Sequence, residues 1–336
     1  MPDATPTSIA PRSPARQSKR WLIAKIAITA IVLGFVGRAL LGQWQKFRQA
    51  PAVDLHPRWA SIALSCVVVF ATYAILIETW RRMVLAWGED LPFGDAASMW
   101  FVSNLVRYVP SGQVLQLGAL AGLARRRQVS PAVAAGASLI NVAVNIATGF
   151  IVALVGGFTA LDTLSGGHAA FGVWAAGILL VSLLALPNVL PWLLVIFQRV
   201  TGRDLAVGAL PRRAIYISLV GNVLAWATYG LAFELFVRGV LGRNVGTASD
   251  YIAVWAGAYV IGYLAFLLPA GAGVREIAMT DGLGMLYLAN VGEAGVIAIA
   301  ARLWLTALEI LPAFLFMARN ARSTPQANTP RDGSLG

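Results

Sequence analysis

The chain has 336 residues, of which 58% are hydrophobic and 12% charged, and its net charge is +11. Soluble domains carry about 25% charged residues, so this composition excludes an ordinary soluble fold and predicts a polytopic membrane protein. The long apolar runs indicate helices, because barrel strands would be short and alternating. One cysteine and two histidines exclude an intrachain disulfide and a Cys/His metal site, and we expect no cofactor. The basic residues lie between apolar runs, which indicates membrane topology and no nucleic-acid partner.

Six apolar stretches have the length of membrane-spanning helices. In chain order they are residues 21–41, 59–80, 131–157, 169–187, 213–237 and 294–317. Polar tails at residues 1–20 and 320–336 flank them, and we expect both tails to be disordered.

Two further segments, near 93–124 and 250–288, begin apolar and are then interrupted by proline and glycine. The interruptions are "RYVPSGQ" (Arg107–Gln113) and "LLPAGAGVRE" (Leu267–Glu276). Proline removes a helical hydrogen bond and glycine frees the backbone, so each segment is predicted to turn back as a re-entrant hairpin. A kinked pair of full spans is the alternative. The predicted fold is an all-α polytopic membrane protein with about six full spans, two re-entrant broken hairpins and about eight helical segments in the membrane.

Charge predicts the orientation. If the N-terminus is inside and both hairpins are re-entrant, the basic tail, the pair Arg81 and Arg82 and the run Arg125–Arg127 all face the inner side. That distribution satisfies the positive-inside rule. We therefore expect both termini to be cytoplasmic.

The sequence contains an internal repeat. "FATYAILIETWRRMVL" (Phe70–Leu85) returns as "WATYGLAFELFVRGVL" (Trp226–Leu241), with matching Ala-Thr-Tyr, glutamate and arginine. The predicted repeats are residues 21–160 and 161–319. In the predicted topology the two copies of the repeated stretch run in opposite directions, and inverted-topology repeats are typical of alternating-access transporters. The alternative is that duplication only produced a stable helical bundle.

The two interruptions carry the candidate substrate site. Arg107 precedes the first one and Gln113 starts the helix after it, while Arg275 and Glu276 follow the second. Arginine offers a planar fork of donors for an anion such as phosphate, and helix N-termini also favour anions. In the alternative interpretation the arginines snorkel to the interface or satisfy broken-helix carbonyls. The residues expected to allow gating movement are Pro110, Gly112, Pro269, Gly271 and Gly273.

Arg302 lies inside the last predicted span, where an ionised side chain requires a partner or a polar cavity. A substrate role is one interpretation of this residue. The other is a structural pair with Glu309, seven residues further on the same helical face, or with Glu276.

Other polar residues in the apolar stretches have two interpretations each. Glu78 and Glu234 each precede an arginine by four positions, which predicts a local ion pair, with proton coupling as the alternative. Asn141 and Asn145 belong to a polar stripe that either lines a cavity or holds helices together. Asp281, in the second half of a hairpin, is a further cavity candidate.

The motifs "RYVPSGQ", "VSPAVAAGAS" and "LLPAGAGVRE" resemble the lysylphosphatidylglycerol synthetase transmembrane-region family, over about residues 20–320. Ser111 departs from the family pattern, in which glycine often follows the proline directly. The resemblance implies a bacterial cytoplasmic membrane protein that moves a phospholipid head group, including aminoacylated ones, between leaflets. The positions carried over by motif are Arg107, Pro110, Gly112, Pro269, Gly271, Gly273, Arg275 and Glu276.

The expected function is therefore that of a lipid transporter, or flippase, for an anionic or aminoacylated phospholipid. A secondary transporter of a small anionic solute is one alternative, and a partner of a lipid-modifying or glycan-assembling enzyme is another. Full-length resistance factors of this family also carry a soluble aminoacyl-transfer domain, and we expect none here, because only a short polar tail follows the last predicted span. Because no acid, base and nucleophile set is found either, we expect no enzymatic activity. The expected partners are membrane lipids.

Overall fold

The computed structural model describes residues 55–108, 112–157, 212–264 and 273–322, with a few isolated positions between 34 and 45 and between 177 and 185. Within these ranges the chain is helical and holds no strand. The helices are α1 (Trp59–Ala86), α2 (Phe93–Asn104), α3 (Gly112–Arg126), α4 (Pro131–Gly156), α5 (Arg212–Leu241), α6 (Ala248–Leu264), α7 (Val274–Met285) and α8 (Val291–Arg322). The predicted span at 21–41, most of that at 169–187, both tails, and Pro110, Pro269 and Gly271 lie outside the described residues.

The helices α1, α4, α5 and α8 are each long and apolar enough to cross a membrane, with mean hydropathies of 2.4, 2.1, 1.4 and 1.8. They confirm helices at the four predicted spans that fall within the described residues. Both ends of α8 extend beyond its prediction, and α1 continues to Ala86 because Met83 and Val84 on its last turns are buried. The start of α4 is fixed by Ser130, whose hydroxyl accepts from the backbone N–H of Val133, and by Pro131 in the first turn.

The helices α2, α3, α6 and α7 are shorter than the roughly 20 residues needed to cross a bilayer. They account for the two segments predicted to be interrupted. The first segment tightens into a 3-10 turn at Leu105–Tyr108, and the helix begins again at Gly112. In the second segment α7 begins after Gly273, whose φ of +89° lies in the left-handed region that glycine tolerates.

The helices α1 and α5 pack along their length in an antiparallel arrangement. The backbone N–H of Arg58 donates to the carbonyl of Gly239, 2.7 Å away, at one end of the pair. At the other end Gly221 faces Thr79 so closely that a Cβ at position 221 would lie 2.0 Å from the threonine hydroxyl. Small residues that admit close backbone approach are the usual basis of helix packing in membranes.

The remaining helices surround this central pair. The helix α2 makes its most extensive contacts with α1, α3 and α8, whereas α6 makes its most extensive contacts with α5, α7 and α4. The short helices α3 and α7 each pack on the long helix that follows them in the chain. Between these layers lies an aromatic core that includes Tyr73, Phe101, Tyr229 and Trp255. One member of this core, Trp255, lies against Arg275 of the candidate site.

Candidate functional site: an arginine-lined cavity

Two oppositely charged side chains of α8 bind the two interrupted segments. Arg302 and Glu309 are 7% and 2% exposed, and both face inwards. Glu276 of α7 accepts from Arg302 Nη1 at 2.5 Å. On the other side, Glu309 forms an ion pair with Arg107 and accepts a hydrogen bond of 2.9 Å from the Tyr108 hydroxyl. The carboxylate that meets Arg302 is therefore Glu276 and not Glu309, because residues seven apart on a helix are about 10 Å apart along its axis.

Glu276 also fixes the beginning of α7. Its second carboxylate oxygen accepts from the backbone N–H of Gly273 at 2.6 Å, which is the capping-box geometry for the third helical residue. One side chain thus satisfies a free helix N–H and an arginine together. The "GVRE" sequence therefore couples the start of this helix to α8.

Of the three arginines described at this site, Arg275 is the one without a carboxylate partner. It is 9% exposed, and its guanidinium lies 3.9 Å from the ring centroid of Tyr259 and 4.7 Å from that of Trp255. Its Nη2 is buried and makes no hydrogen bond, and no acidic residue in the described ranges pairs with it. Gly262 makes room for the side chain, since a Cβ there would lie 3.0 Å from the Cβ of Arg275.

These groups enclose a small polar cavity of about 50 Å³. All three arginines line it, together with Glu309 as its acidic group. Glu276 pairs with Arg302 from the adjoining helix, so three positive charges meet two negative ones. The remaining lining includes the neutral polar side chains of Gln116, Tyr259, Tyr263 and Thr306. The described side chains of the cavity therefore carry an excess of one positive charge.

A second cavity of about 280 Å³ adjoins the first and shares Arg107, Gln116 and Tyr263 with it. Gln116 donates to Asn104 in the wall between α2 and α3, and the Nδ2 of Asn104 is buried without a partner. This larger cavity reaches the outer face of α4. Two aliphatic residues of that face, Leu139 and Val142, line the cavity although their side chains are 55% and 38% exposed. Among the described residues, the second cavity is therefore open sideways, at this face of α4.

The polar stripe of α4 both lines the second cavity and joins α4 to α5. Asn145 donates to the Asn222 side chain at 2.7 Å, and Asn141 accepts from Ser218 and from Asn222 at 2.9 Å each. Trp226 Nε1 completes the contact by donating to the backbone carbonyl of Asn145 at 3.0 Å. Asn141 and Asn145 thus line a cavity and also hold two helices together, so each interpretation accounts for some of their contacts.

The other candidate residues lie away from the arginine cavity. Glu78 bonds to Arg82 at 2.8 Å and Glu234 to Arg238 at 2.8 Å, as the four-residue spacing predicts. Asp281 faces a different side of α7 and lines an apolar cleft. Gly112 begins α3, whereas the side chain of Gln113 lies outside the described residues.

The aromatic side of the cavity was not predicted from the sequence. Trp255, Tyr259 and Tyr263 recur every four residues along α6 and form one stripe, which the sequence displays. A spacing that the two halves share was not predicted either. Asn141, Asn145 and Thr148 of α4 have the same intervals as Arg302, Thr306 and Glu309 of α8. Comparing the last helix of each half would have found this second signal.

Comparison with models of known protein families gives no match, and comparison with curated proteins gives no relative. In the part of the chain that the structure describes, no group of His, Cys, Asp and Glu side chains is arranged to hold a metal ion.

Proposed function

We propose that this protein is a lipid transporter that moves an anionic or aminoacylated phospholipid between the two leaflets of a bacterial cytoplasmic membrane. The observation that carries the proposal is the unpaired, buried Arg275 in a cavity with two further arginines. An intramembrane cation without a partner is costly and marks a ligand path. The phosphate of a lipid head group supplies the missing negative charge.

The chemistry of the cavity fits a phosphate. A guanidinium binds two phosphate oxygens through its planar fork, and charge-assisted hydrogen bonds are about twice as strong as neutral ones. The faces of Tyr259 and Trp255 hold the Arg275 guanidinium in place without consuming its N–H donors. Arg275 is thus oriented in advance, and no carboxylate among the described residues occupies its N–H donors.

The sideways opening favours a lipid over a small solute. A solute carrier needs a pocket closed to the bilayer, whereas a lipid must keep its acyl chains in the bilayer while its head group enters the protein. The exposed positions Leu139 and Val142 line the same cavity as Arg107 and Gln116. This arrangement supports a head group entering between α3 and α4 with its tails outside.

The contacts of α1 with α5 support the inverted repeat. Thr72 touches Thr228 and Tyr73 stacks edge-on against Tyr229, and the sequence repeat equates the members of each pair. Equivalent residues meet each other only near a two-fold axis. The two halves also share a pattern of contacts. The helix α2 packs on α1, α3 and α8, and its counterpart α6 packs on the equivalent helices α5, α7 and α4. We infer two inverted halves with the interrupted segments as re-entrant hairpins.

In the mechanism that follows from this architecture, α8 holds both interrupted segments through ion pairs. Glu309 holds the first interrupted segment through Arg107, and Arg302 holds the second through Glu276. A phosphate that enters competes with these carboxylates for the arginines and weakens one pair at a time. Each hairpin is then released in turn, which exposes the head group to opposite sides of the membrane.

The test measures transbilayer movement of a lipid in liposomes that contain the purified protein. The lipid is an anionic phospholipid that carries a fluorophore on one acyl tail. An impermeant quencher outside measures how fast lipids of the inner leaflet become accessible. We expect movement with the wild type and its loss in Arg275→Gln. Arg213→Gln, which removes an exposed arginine at the start of α5, is the matched control.

Three outcomes decide between the functions. Movement that survives in Arg275→Gln would contradict the site. An absence of movement for every phospholipid, with uptake of a radiolabelled inorganic anion, would favour the small-solute transporter. An absence of both would leave a partner role for a lipid-modifying enzyme, and the flippase proposal would be wrong.

A further inference from the structure

The second cavity, which adjoins the arginine cavity and is bounded mainly by α1, α2, α3 and α4, is polar but carries little charge. Its volume is about 280 Å³, against about 50 Å³ for the arginine cavity. Arg107, at the junction of the two, is the one charged side chain of the described residues that lines it. The neutral polar side chains include those of Ser103, Asn104, Gln116, Ser138, Asn141 and Asn145. Among the described residues, a ligand in this space therefore meets hydrogen-bonding groups but no carboxylate.

Four of these side chains have unused hydrogen-bonding atoms. Asn141 uses only its side-chain oxygen, and Asn145 only its side-chain nitrogen, in contacts with α5. Among the described residues, Gln116 uses only its side-chain nitrogen, toward Asn104, and Ser138 makes no side-chain hydrogen bond. None of the unused atoms is enclosed by the surrounding described residues. The cavity thus offers donors and acceptors together, which suits a ligand hydroxyl, because a hydroxyl both donates and accepts.

The charge of the two cavities disfavours a cationic head group. At the arginine cavity three described arginines meet two carboxylates, which leaves an excess of one positive charge. A lipid phosphodiester carries one negative charge and balances this excess, so the rest of the head group should be uncharged. An ammonium would add a positive charge that no described side chain compensates, which is costly inside a membrane protein. Residues 109–111 and 265–272, which complete the two interruptions, contain no acidic residue.

A phosphodiester is able to use both cavities. Its two ester arms leave the phosphorus at a tetrahedral angle, so a phosphate between the arginines can direct both arms into the larger cavity. One arm, the glycerol that bears the acyl chains, continues to the open side at Leu139 and Val142. The other arm, which bears the rest of the head group, then lies against Asn141 and Asn145.

We propose that the second cavity selects a phospholipid whose head group ends in an uncharged polyol, either glycerol or a sugar, and rejects one that ends in an amine. This selection rests on the lipid transport proposed above and narrows its substrate to anionic phospholipids with head-group hydroxyls. The hydroxyls bind to the unused atoms of Ser138, Asn141 and Asn145, while the arginines hold the phosphate.

Five phospholipids with the same acyl chains separate the features of the head group. Phosphatidylglycerol and phosphatidylinositol carry a polyol, which is glycerol in the first and a sugar-like ring in the second. Phosphatidylethanol has the same single negative charge without a hydroxyl, whereas phosphatidylethanolamine and lysyl-phosphatidylglycerol carry amines. Binding is measured apart from transport, as the rise in unfolding temperature that the dioctanoyl form of each lipid causes in detergent. Tail-labelled forms of the five lipids then enter the liposome assay.

We expect the better of the two polyol lipids to bind about ten-fold more tightly than phosphatidylethanol, the factor that corresponds to one or two net hydrogen bonds. Both amine lipids should bind about ten-fold or more weakly than that polyol lipid, because their charge is left uncompensated. The rates of transbilayer movement should follow the same order. The lipid that binds more tightly, phosphatidylglycerol or phosphatidylinositol, identifies the polyol.

A single charge placed in the cavity should change the selection. Ser138 has no side-chain hydrogen bond to lose among the described residues, so Ser138→Asp adds a carboxylate without breaking such a contact. In this variant phosphatidylethanolamine should gain about ten-fold in binding and phosphatidylglycerol should lose about as much. Ser138→Asn has nearly the same shape without the charge. Ala132→Asp adds the same charge in the exposed first turn of α4, outside the cavity, and both controls should keep the order of the wild type.

Equal binding of phosphatidylethanolamine and phosphatidylglycerol to the wild type would overturn the selection against amines. Equal binding of phosphatidylethanol and both polyol lipids would overturn the contacts with the hydroxyls. An unchanged order in a folded Ser138→Asp would show that the head group does not enter this cavity. Because the lipid series uses the wild type, it decides the proposal even where Ser138→Asp does not fold.

Binding and movement together separate this selection from transport itself. Selective binding of a polyol lipid with no movement of any lipid would support the polyol site and contradict the proposed transport. Movement of all five lipids at equal rates, without selective binding, would support transport and overturn the selection.

Discussion

The hydroxyl oxygens of Thr72 and Thr228 lie 2.9 Å apart, and the two residues hold the same place in a repeated sequence. Each hydroxyl also lies within hydrogen-bond distance of a carbonyl of its own helix, from Val68 and Leu224. The contact joins two halves of the chain at equivalent points. Its strength should therefore be measurable by changing either half alone or both together.

Replacing Thr72 or Thr228 with valine should cost about 0.5–1.5 kcal/mol, the range of interhelical hydrogen bonds within membranes. The double variant should cost less than the sum of the two single variants, because the hydroxyls share one interaction. Unfolding of the purified protein in mixed micelles measures the four free energies. Additive losses would contradict a direct interaction between the two hydroxyls.

The close approach of α5 to α1 predicts a larger effect at Gly221. A Cβ at this position would lie 2.0 Å from the hydroxyl of Thr79, so Gly221→Ala should destabilise the fold by roughly 1–3 kcal/mol through overpacking. Thr79→Ala in the same chain should recover part of the loss. Gly295→Ala is the matched control, since a Cβ there meets nothing within 4 Å. Thermal unfolding in detergent compares the variants, and an unaffected Gly221→Ala would contradict the packing.

The buried pair of Arg107 and Glu309 predicts non-additive losses. Glu309→Gln should destabilise the fold by about 3–5 kcal/mol, because the arginine is left uncompensated inside the protein. Arg107→Gln together with Glu309→Gln should cost less than Glu309→Gln alone. Denaturant unfolding of the two single variants, the double variant and the wild type provides the comparison. A double variant less stable than both single ones would show that the pair is not the main interaction of these side chains.

Glu276 has two functions that substitutions can separate. Glu276→Gln keeps an acceptor for the N–H of Gly273, as glutamine also serves in the capping box, but removes the charge that faces Arg302. Glu276→Ala removes both, so it should be less stable by a further amount of about 0.5–2 kcal/mol, the usual cost of a lost cap. Hydrogen exchange of the first amides of α7 should rise in the alanine variant and much less in the glutamine variant. Equal exchange in the two would contradict the cap.

We expect substitution of Arg275 to affect stability and function in opposite directions. Its guanidinium is nine-tenths buried and has no carboxylate partner among the described residues. Replacing such a charge with an apolar side chain of similar length is often neutral or stabilising. We therefore expect Arg275→Met to unfold at the same temperature as the wild type or higher while transport is lost. A lower unfolding temperature would indicate that the contacts with Tyr259 and Trp255 outweigh the cost of burial.

Local sequence patterns predicted the local features well. The length of the apolar runs identified α1, α4, α5 and α8, and the proline and glycine residues marked where the shorter helices begin and end. The pairs Glu78–Arg82 and Glu234–Arg238 form with the partners given by the four-residue spacing. These features depend on residues close in sequence, so helix geometry alone determines them.

The partners of Arg302 and Glu309 could not be predicted in the same way. Helix geometry places both residues on one face of α8, but two turns apart, and it does not determine which residues of other segments lie opposite. Glu276 and Arg107 reach them from elsewhere in the chain, Arg107 from 202 positions away. The aromatic stripe of α6 is visible in the sequence, yet only packing shows that Arg275 lies over Tyr259.

The distance along the chain between Arg107 and Glu309 has a consequence for biosynthesis. Translation proceeds from the N-terminus, so Arg107 enters the membrane long before α8 has been made. Until then its guanidinium lacks the carboxylate that will compensate it, and the first half must be held in a hydrated or shielded state. The last helix is therefore the element that completes the charge balance of the first half. A fragment that ends before α8 should accordingly be recognised by membrane quality-control proteases, and α8 supplied as a separate chain should protect it.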